Sequence, residues 1–404
     1  PAALANQTGN GGTGNSINLT ATGQASGCCG SILFTGPVQY QGQATGVNVS
    51  VNSVTPFIIG NPGTSNNGII MDGTNLAVDM SGGNISGAAG GSFSVSQGGA
   101  GGITLSPGAR LLSTAGNGNS PFRGGTIQLS AGSGTLSIAN GQISVSVPDL
   151  GLGAGSPQAN GGTITLSASK LATTVGSTGA LALTALGGNG GQGGTINITL
   201  SDPATSLNVG NASGQFTLDA RGGAIGGRLN LNSAQNLTVD PAFALFGALP
   251  TATNFDGGSV SLQATGNVFW TGALNANGLG IGDGGSVTVR HGGFGGFFIN
   301  TGAFGSGISG ALSATAGAIA GNGGTFDIST TAGAMIFVNG GFVFNANGFS
   351  SGASANGRDS GRFNGGRITI STNGISLLTA GTVTMSANGA GSGNGGTVDF
   401  NHRS

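Results

Sequence analysis

Nine copies of one short phrase, a Gly-Gly pair followed by alternating apolar and polar residues, recur from residue 120 onward. Residues 161–166 read GGTITL, and residues 193–198 read GGTINI. The copies follow one another at about 30 residues, with loops of variable length between them. The second glycines of the nine pairs are Gly125, Gly162, Gly194, Gly227, Gly258, Gly285, Gly324, Gly366 and Gly396. Such repetition is typical of solenoid proteins, whose units bury their apolar faces only against neighbouring units.

Each copy predicts one short β-strand, because alternation with a period of two places the apolar side chains on one face. Weaker strand-like phrases lie between the pairs, for example at residues 272–278 (GALNANG) and 236–239 (NLTV). Stacking equivalent strands from successive copies buries all these apolar faces. The sequence therefore predicts an all-β fold, a single-stranded parallel β-helix (β-solenoid) with ~30 residues per coil. The second glycines of the nine pairs are predicted to be the repeat corners, and glycine and asparagine are expected to give the corners positive φ.

The composition argues against the competing folds. The chain contains no Glu, and Lys170 is its single Lys, so good helix formers are scarce. Hydrophobic residues make up 37% and the net charge is −1, which differs from the polar, highly charged composition of disordered chains. A β-propeller needs repeats of about 40 to 45 residues with recurrent aromatic residues. This chain has one Trp and one Tyr.

The same composition restricts the partners. A nearly neutral chain offers no basic surface for nucleic acid. No apolar run approaches the roughly 18 residues of a membrane-spanning helix, so no membrane span is expected. No phosphate-binding loop, zinc-ligand spacing or other cofactor motif is present, and we expect no cofactor.

The sequence divides into two regions of different regularity. Residues 101–404 are the repetitive β-solenoid, whereas residues 1–100 are less regular but still rich in alternating segments. Because a solenoid needs a protected terminal coil, residues 1–100 are predicted to be a cap or a docking region. This region holds both cysteines, Cys28 and Cys29. Adjacent cysteines rarely bridge each other, so they are either two small buried residues or the source of one intermolecular disulfide.

The Gly-Gly-Thr-Ile-Thr-Leu and Ala-Asn-Gly phrases resemble those of large secreted bacterial exoproteins of the filamentous-haemagglutinin type. The resemblance is one of repeat style and covers roughly residues 100–400. It implies a right-handed β-helix, export from a bacterial cell, and an adhesive or structural role at the cell surface. Right-handed winding also agrees with the usual chirality of parallel crossover connections.

Catalytic chemistry is not expected. All 11 acidic residues are Asp, and glycoside hydrolysis would need two carboxylates at a defined separation. Asp327 and Asp399 occupy equivalent positions in their repeats, where other copies carry Thr or Asn, so they are predicted to lie in a solvated outward row. Asp256 and Asp283 each precede a Gly-Gly pair and could stack between coils to bind calcium. One carboxylate per coil is few for a calcium site of six to eight oxygen ligands.

These patterns lead to one expected function and two alternatives. The expectation is an extracellular structural or adhesive solenoid, a subunit of a surface fibre that self-associates through its unpaired strand edges. The first alternative is a module that binds surface polysaccharide, or ice, through outward polar rows that include Thr163, Thr165, Thr195 and Thr199. The second alternative is a carbohydrate-active enzyme with an acidic cleft on one face.

Overall fold

A computed structural model describes most of the repetitive region and selected strands before it. The described residues are 16–21, 33–34, 38–39, 48–53, 57–59, 70–71, 77–79, 81, 89–98, 102–105, 109–115, 123–138, 141–147, 159–173, 181–188, 190–210, 216–240, 244–245, 253–299, 306–337, 343–350, 362–377 and 383–402. They form short β-strands without an α-helix. In this part of the chain no helix is long and apolar enough to cross a membrane.

The first twenty strands follow the chain as far as residue 233. They are β1 (Ser16–Ala21), β2 (Leu33–Phe34), β3 (Val38–Gln39), β4 (Asn48–Ser53), β5 (Phe57–Ile59), β6 (Ile70–Met71), β7 (Ala77–Asp79), β8 (Ser92–Gln97), β9 (Ile103–Leu105), β10 (Arg110–Leu112), β11 (Thr126–Ser130), β12 (Thr135–Ile138), β13 (Gln142–Ser144), β14 (Thr163–Ala168), β15 (Lys170–Thr173), β16 (Leu181–Thr184), β17 (Thr195–Leu200), β18 (Leu207–Val209), β19 (Phe216–Asp219) and β20 (Arg228–Ser233).

The remaining strands continue to residue 402. They are β21 (Leu237–Val239), β22 (Ala244–Leu245), β23 (Ser259–Ala264), β24 (Val268–Trp270), β25 (Leu274–Asn275), β26 (Ser286–His291), β27 (Phe297–Ile299), β28 (Gly307–Ile308), β29 (Leu312–Ser313), β30 (Ala320–Gly321), β31 (Thr325–Thr330), β32 (Met335–Phe337), β33 (Val343–Asn345), β34 (Phe349–Ser350), β35 (Arg362–Phe363), β36 (Arg367–Thr372), β37 (Ile375–Leu377), β38 (Thr384–Ser386), β39 (Ala390–Gly391) and β40 (Thr397–His402).

The chain forms two compact units, the first made of residues 1–205 and 210–220 and the second of residues 206–209 and 221–404. In the first unit, the strands that follow the Gly-Gly pairs continue a parallel row that starts near the N-terminus, in the order β1, β4, β8, β11, β14 and β17. Two further parallel rows run β3, β7, β10, β13, β16, β19 and β5, β9, β12, β15.

The second unit has the same organisation. Its Gly-Gly strands stack in the order β20, β23, β26, β31, β36 and β40. A second row runs β18, β21, β24, β28, β27, β32, β37, and a third runs β25, β29, β33, β38. Both shorter phrases of the repeat therefore form strands in rows of their own. The predicted all-β fold, with parallel strands stacked in chain order, is confirmed.

Burial follows the predicted alternation within each strand. In β14, Ile164 and Leu166 are buried while Thr163 and Thr165 are partly exposed. The stacked equivalents of these two apolar residues, Ile127, Leu129, Ile196 and Ile198, are also buried. The core is thus a set of columns of Ile, Leu, Val and Phe that run from strand to strand, and the hydrophobic effect on these columns stabilises the stack.

The corner glycines are required for a reason other than the one expected. Eight glycines of the described chain have positive φ, and none of them belongs to the nine Gly-Gly pairs. Instead, a Cβ atom on Gly162 would lie 2.1 Å from the carbonyl oxygen of Gly125, and a Cβ atom on Gly324 would lie 2.1 Å from that of Gly285. The prediction of positive φ at these pairs is wrong. Glycine is needed because stacked backbones approach too closely to leave room for a side chain.

Candidate functional site

From Asp256 onward, the residues before the Gly-Gly pairs form a hydrogen-bonded ladder along the corner of the second unit. Asp256 Oδ1 accepts a hydrogen bond from the backbone N–H of Asp283 at 2.9 Å, and Asp283 Oδ1 accepts one from that of Asn322 at 2.7 Å. Asn322 and Asn364 repeat the contact with the next coil at 2.9 and 3.0 Å. In the first unit, Asn160 Oδ1 accepts a hydrogen bond from the backbone N–H of Gln192. This ladder fixes the register of the coils, each bond contributing about 1 kcal/mol.

A second, shorter ladder follows the Ala-Asn-Gly phrase. Asn277 Oδ1 accepts hydrogen bonds from the Ser313 hydroxyl at 2.6 Å and from the Thr315 backbone at 2.9 Å. Asn347 makes the equivalent pair of contacts with Ser386 and Asn388, both at 2.7 Å. The asparagines that appeared to be turn residues in the sequence therefore join neighbouring coils.

The calcium hypothesis placed Asp256 and Asp283 at matching corners, and the structure brings them together in this way. Their contact is a carboxylate oxygen bound to a backbone N–H, which is a stacking interaction. Among the described residues, no group of three or more His, Cys, Asp or Glu side chains lies close enough together to hold a metal ion.

The outward rows of the Gly-Gly strands are polar, as expected. Thr126, Thr163 and Thr195 lie in register and form one threonine column, of which Thr126 was not anticipated. Thr165 and Thr199, in contrast, lie opposite Asn197 and Ser167. The threonine ladder considered for ice binding therefore extends over three strands in one column and is interrupted in the others.

Asp327 and Asp399 lie on the outward face of the second unit, where each pairs with an arginine two positions away on the neighbouring strand. Arg290 binds both carboxylate oxygens of Asp327 and also donates to the Ser329 hydroxyl at 3.2 Å. Arg367 Nη2 lies 2.9 Å from Asp399 Oδ2. The hydrogen bond to Asp327 raises the pKa of Arg290, so its guanidinium stays charged. The two aspartates belong to strands separated by β36, and Thr369 lies between them.

An open groove of about 650 Å³ surrounds the Arg290–Asp327 pair. Its floor is the outward row Gln263, Arg290, Ser329 and Ser371, one residue from each of four successive strands. Thr369 lies on one side of this row, and Thr265, Gly292 and Thr331 lie on the other. The groove therefore presents hydroxyl and amide groups around one neutralised ion pair.

The turn that follows Gly292 carries the most exposed large apolar side chain among the described residues. Phe294 is 94% exposed and lies between two Gly-Gly pairs, 292–293 and 295–296. Sequence analysis did not single out this residue. The sequence feature that could have identified it is a phenylalanine with glycines on both sides, outside the alternating strand pattern.

The last Gly-Gly strand exposes the side chains that its equivalents bury. Val398 and Phe400 of β40 are 40% and 51% exposed, whereas Ile368 and Ile370, their register partners on β36, are buried. Among the described strands, β40 pairs with β36 on one side and with nothing on the other. Val398 and Phe400 therefore continue the inward columns of Ile368 and Ile370 at the last described strand.

His291 lies in the core directly behind the groove. It is fully buried, its Nδ1 accepts a hydrogen bond from the Val268 backbone at 3.2 Å, and its ring lies 5.1 Å from that of Phe297. Burial lowers the pKa of His291, and the backbone carbonyl of Gly295 offsets this only in part. The folded protein therefore favours the neutral form of this imidazole.

Acidification should destabilise the second unit through His291. Because the pKa of His291 is lower in the folded state, the unfolded chain takes up the proton first as the pH falls through about 6.5. We expect the free energy of unfolding to fall by up to about 1.4 kcal/mol per pH unit below that value, until the folded-state pKa is reached. Urea unfolding at pH 7 and pH 5, followed by the fluorescence of Trp270, measures this.

Two variants isolate the effect, because the chain has only two histidines. In His291→Asn the difference between pH 7 and pH 5 should disappear, whereas His402→Asn, which alters an exposed residue, should retain it. Equal unfolding free energies of the unsubstituted protein at both pH values would show that burial of His291 does not control acid stability.

Comparisons with protein-family models, with curated proteins and with solved structures found no match to this chain. The cysteines Cys28 and Cys29 lie outside the described residues. The disulfide prediction and the interpretation of residues 1–100 as a cap therefore remain predictions. The geometry of the described residues is the basis for the functional proposal.

Proposed function

We propose that this chain is an extracellular structural and adhesive β-solenoid, a fibre subunit that lengthens when a second copy stacks on its open strand edge. The proposal includes right-handed winding with about 30 residues per coil, as in the filamentous-haemagglutinin type of exoprotein that the repeat resembles. It assigns no catalytic role. The single observation that carries it is the parallel, in-register stacking of equivalent strands, since each Gly-Gly strand of the second unit pairs with the Gly-Gly strand of the neighbouring coil.

A strand of a second copy stacked on β40 would be held in the two ways that hold the rows together. It would pair with the backbone of β40, and it would remove Val398 and Phe400 from water. Full burial of side chains of this size contributes about 1.5 to 3 kcal/mol each. The edge also lacks the usual protection against such addition, because its charged residue Asp399 is already paired with Arg367 and no lysine projects from it.

A second copy is the occupant that fits the geometry. Each Gly-Gly strand of the row accepts a parallel, in-register neighbour of the same pattern, and β1 of the first unit pairs with β4 in the same way. Addition of β1 of one copy to β40 of another is a head-to-tail contact. Because such a contact uses two different surfaces, it does not close on itself and produces a filament.

Gly395 gives a specific test of this arrangement. A Cβ atom on Gly365, the equivalent residue one coil earlier, would lie 1.9 Å from the Ala387 carbonyl oxygen and 2.4 Å from the Gly396 nitrogen of the following coil. A Cβ atom on Gly395 meets nothing within 4 Å. We therefore expect Gly395→Ala to fold normally and to weaken self-association at least about tenfold, because its methyl group occupies the path of the next coil.

Sedimentation velocity over a range of concentrations and negative-stain electron microscopy measure this association. The unsubstituted chain should form rods that lengthen with concentration. Phe400→Asp, measured in parallel with Gly395→Ala, should remain monomeric. Addition of reductant to the same samples tests the intermolecular disulfide of Cys28 or Cys29. Isolated single particles of the unsubstituted chain at every concentration, or unimpaired assembly of Gly395→Ala, would rule out stacking at this edge.

A further inference from the structure

We infer that the groove around Arg290 and Asp327 is a binding site for a neutral oligosaccharide. This site is independent of the strand edge that the fibre proposal uses, since it lies on the outward face of β23, β26, β31 and β36. Three features support it: the polar lining, the balance of charge, and the exposed ring of Phe294, two residues from the lining Gly292.

The lining has the chemistry that sugar hydroxyls require. Each sugar hydroxyl both donates and accepts hydrogen bonds, and the groove offers the exposed or partly exposed side chains Gln263, Thr265, Thr331 and Thr369, which can do the same. Asp327 adds a partly exposed carboxylate and Arg290 a partly exposed guanidinium, with exposed side-chain fractions of 44% and 38%. Charged groups that are held in a fixed geometry make the stronger hydrogen bonds of such a site.

The charge of the groove selects a neutral ligand. Arg290 is bound by both oxygens of Asp327, so the pair carries no net charge, and the other lining side chains are uncharged. A phosphate or a uronate chain would meet no uncompensated cation here. Nucleic acid is disfavoured for the same reason, because its affinity depends on neutralising several phosphates.

The length of the groove suits several sugar rings. Its floor row comes from four strands, and adjacent strands in a sheet lie about 4.8 Å apart, so the row extends over about 14 Å. Successive positions of this row therefore repeat along the groove at nearly the spacing of consecutive pyranose units. Because Ser329 and Ser371 are buried, a linear oligosaccharide that lies across the strands would meet a more exposed polar side chain from each strand, namely Gln263, Arg290, Asp327 and Thr369.

Phe294 supplies the apolar contact that sugar recognition also uses. The ring is 94% exposed and contributes nothing to the core, and it follows Gly292, which lines the groove, by two residues. Pyranose rings have apolar C–H faces between their hydroxyls, and an aromatic face provides a flat surface against them. Burial of this ring by a ligand removes apolar surface that folding leaves in water.

Calorimetric titration with a panel of neutral hexasaccharides tests the site. The panel contains β-1,4-glucan, α-1,4-glucan, β-1,3-glucan and β-1,4-mannan hexamers, with a galacturonate hexamer as the anionic comparison. At least one neutral hexamer should bind saturably, and Phe294→Ala and Asp327→Asn should each weaken that binding at least about tenfold. Asp399→Asn, which breaks the matched ion pair outside the groove, should leave the affinity within about twofold.

The variants also separate this proposal from the fibre proposal. Gly395→Ala, which alters the strand edge, should bind the hexamer with the affinity of the unsubstituted chain. Phe294→Ala should form fibres as the unsubstituted chain does. Circular dichroism and urea unfolding verify that each variant is folded. The site would be refuted by the absence of neutral binding, by preference for the galacturonate hexamer, or by full affinity in both Phe294→Ala and Asp327→Asn.

Discussion

Replacing Gly324 by alanine should lower the free energy of unfolding of the second unit by about 3 kcal/mol or more. The new Cβ atom would lie 2.1 Å from the carbonyl oxygen of Gly285, 2.7 Å from the Gly284 carbonyl carbon and 2.9 Å from the Ala314 Cβ. Two of these atoms are backbone and cannot rotate away. Relief requires the stacked corners to separate, which weakens the hydrogen bond from the Thr325 N–H to the Gly285 carbonyl.

The chain offers both a probe and a matched control for this measurement. Trp270 is the single tryptophan and is buried in the same unit, so its fluorescence reports urea unfolding there. Gly295 lies in this unit as well, and a Cβ atom built on it meets nothing within 4 Å. Gly295→Ala should therefore leave the urea midpoint nearly unchanged. If the two variants unfold at the same urea concentration, close stacking of the corners is not what requires glycine.

The strands could be predicted from the sequence because their signal is local. Alternation over four to six residues fixes which side chains point inward, and Ile164 and Leu166 are buried as that pattern requires. The Gly-Gly pairs were located correctly but explained wrongly. Glycine permits both positive φ and close backbone approach, and the sequence does not distinguish these two uses.

The candidate sites depend on contacts between coils, which local pattern does not specify. Arg290 and Asp327 are 37 positions apart, and they meet because Ser286 pairs with Thr325 in that register. A shift of one residue would turn one of the two side chains inward. The Gly-Gly pairs give this register despite loops of variable length, because Ser286 and Thr325 each follow the second glycine of a pair. They do not show that Arg290 reaches diagonally to Asp327, two positions away on the neighbouring strand. The Asp and Asn ladder left a clearer signal, since an Asp or Asn precedes most of the later Gly-Gly pairs.

The second large effect is expected in the aromatic part of the core. Phe344 is fully buried, and its ring packs edge-on against those of Phe326 and Phe337, with centroid distances of 6.0 and 6.1 Å. These three rings come from different strands of the second unit, so Phe344 joins two rows of the solenoid across its interior. Phe344→Ala should lower the free energy of unfolding by about 3 to 5 kcal/mol, because it removes buried area and leaves a cavity.

Phe294→Ala is the control for this truncation, because it deletes the same side chain from an exposed turn of the same unit. It should change the free energy of unfolding by less than about 0.5 kcal/mol. The contrast also separates two uses of phenylalanine in the chain, since Phe344 acts through stability and Phe294 is proposed to act through a ligand. If Phe344→Ala unfolds at the same urea concentration as Phe294→Ala, the solenoid interior does not depend on the aromatic cluster, and the columns of aliphatic residues alone stabilise the stack.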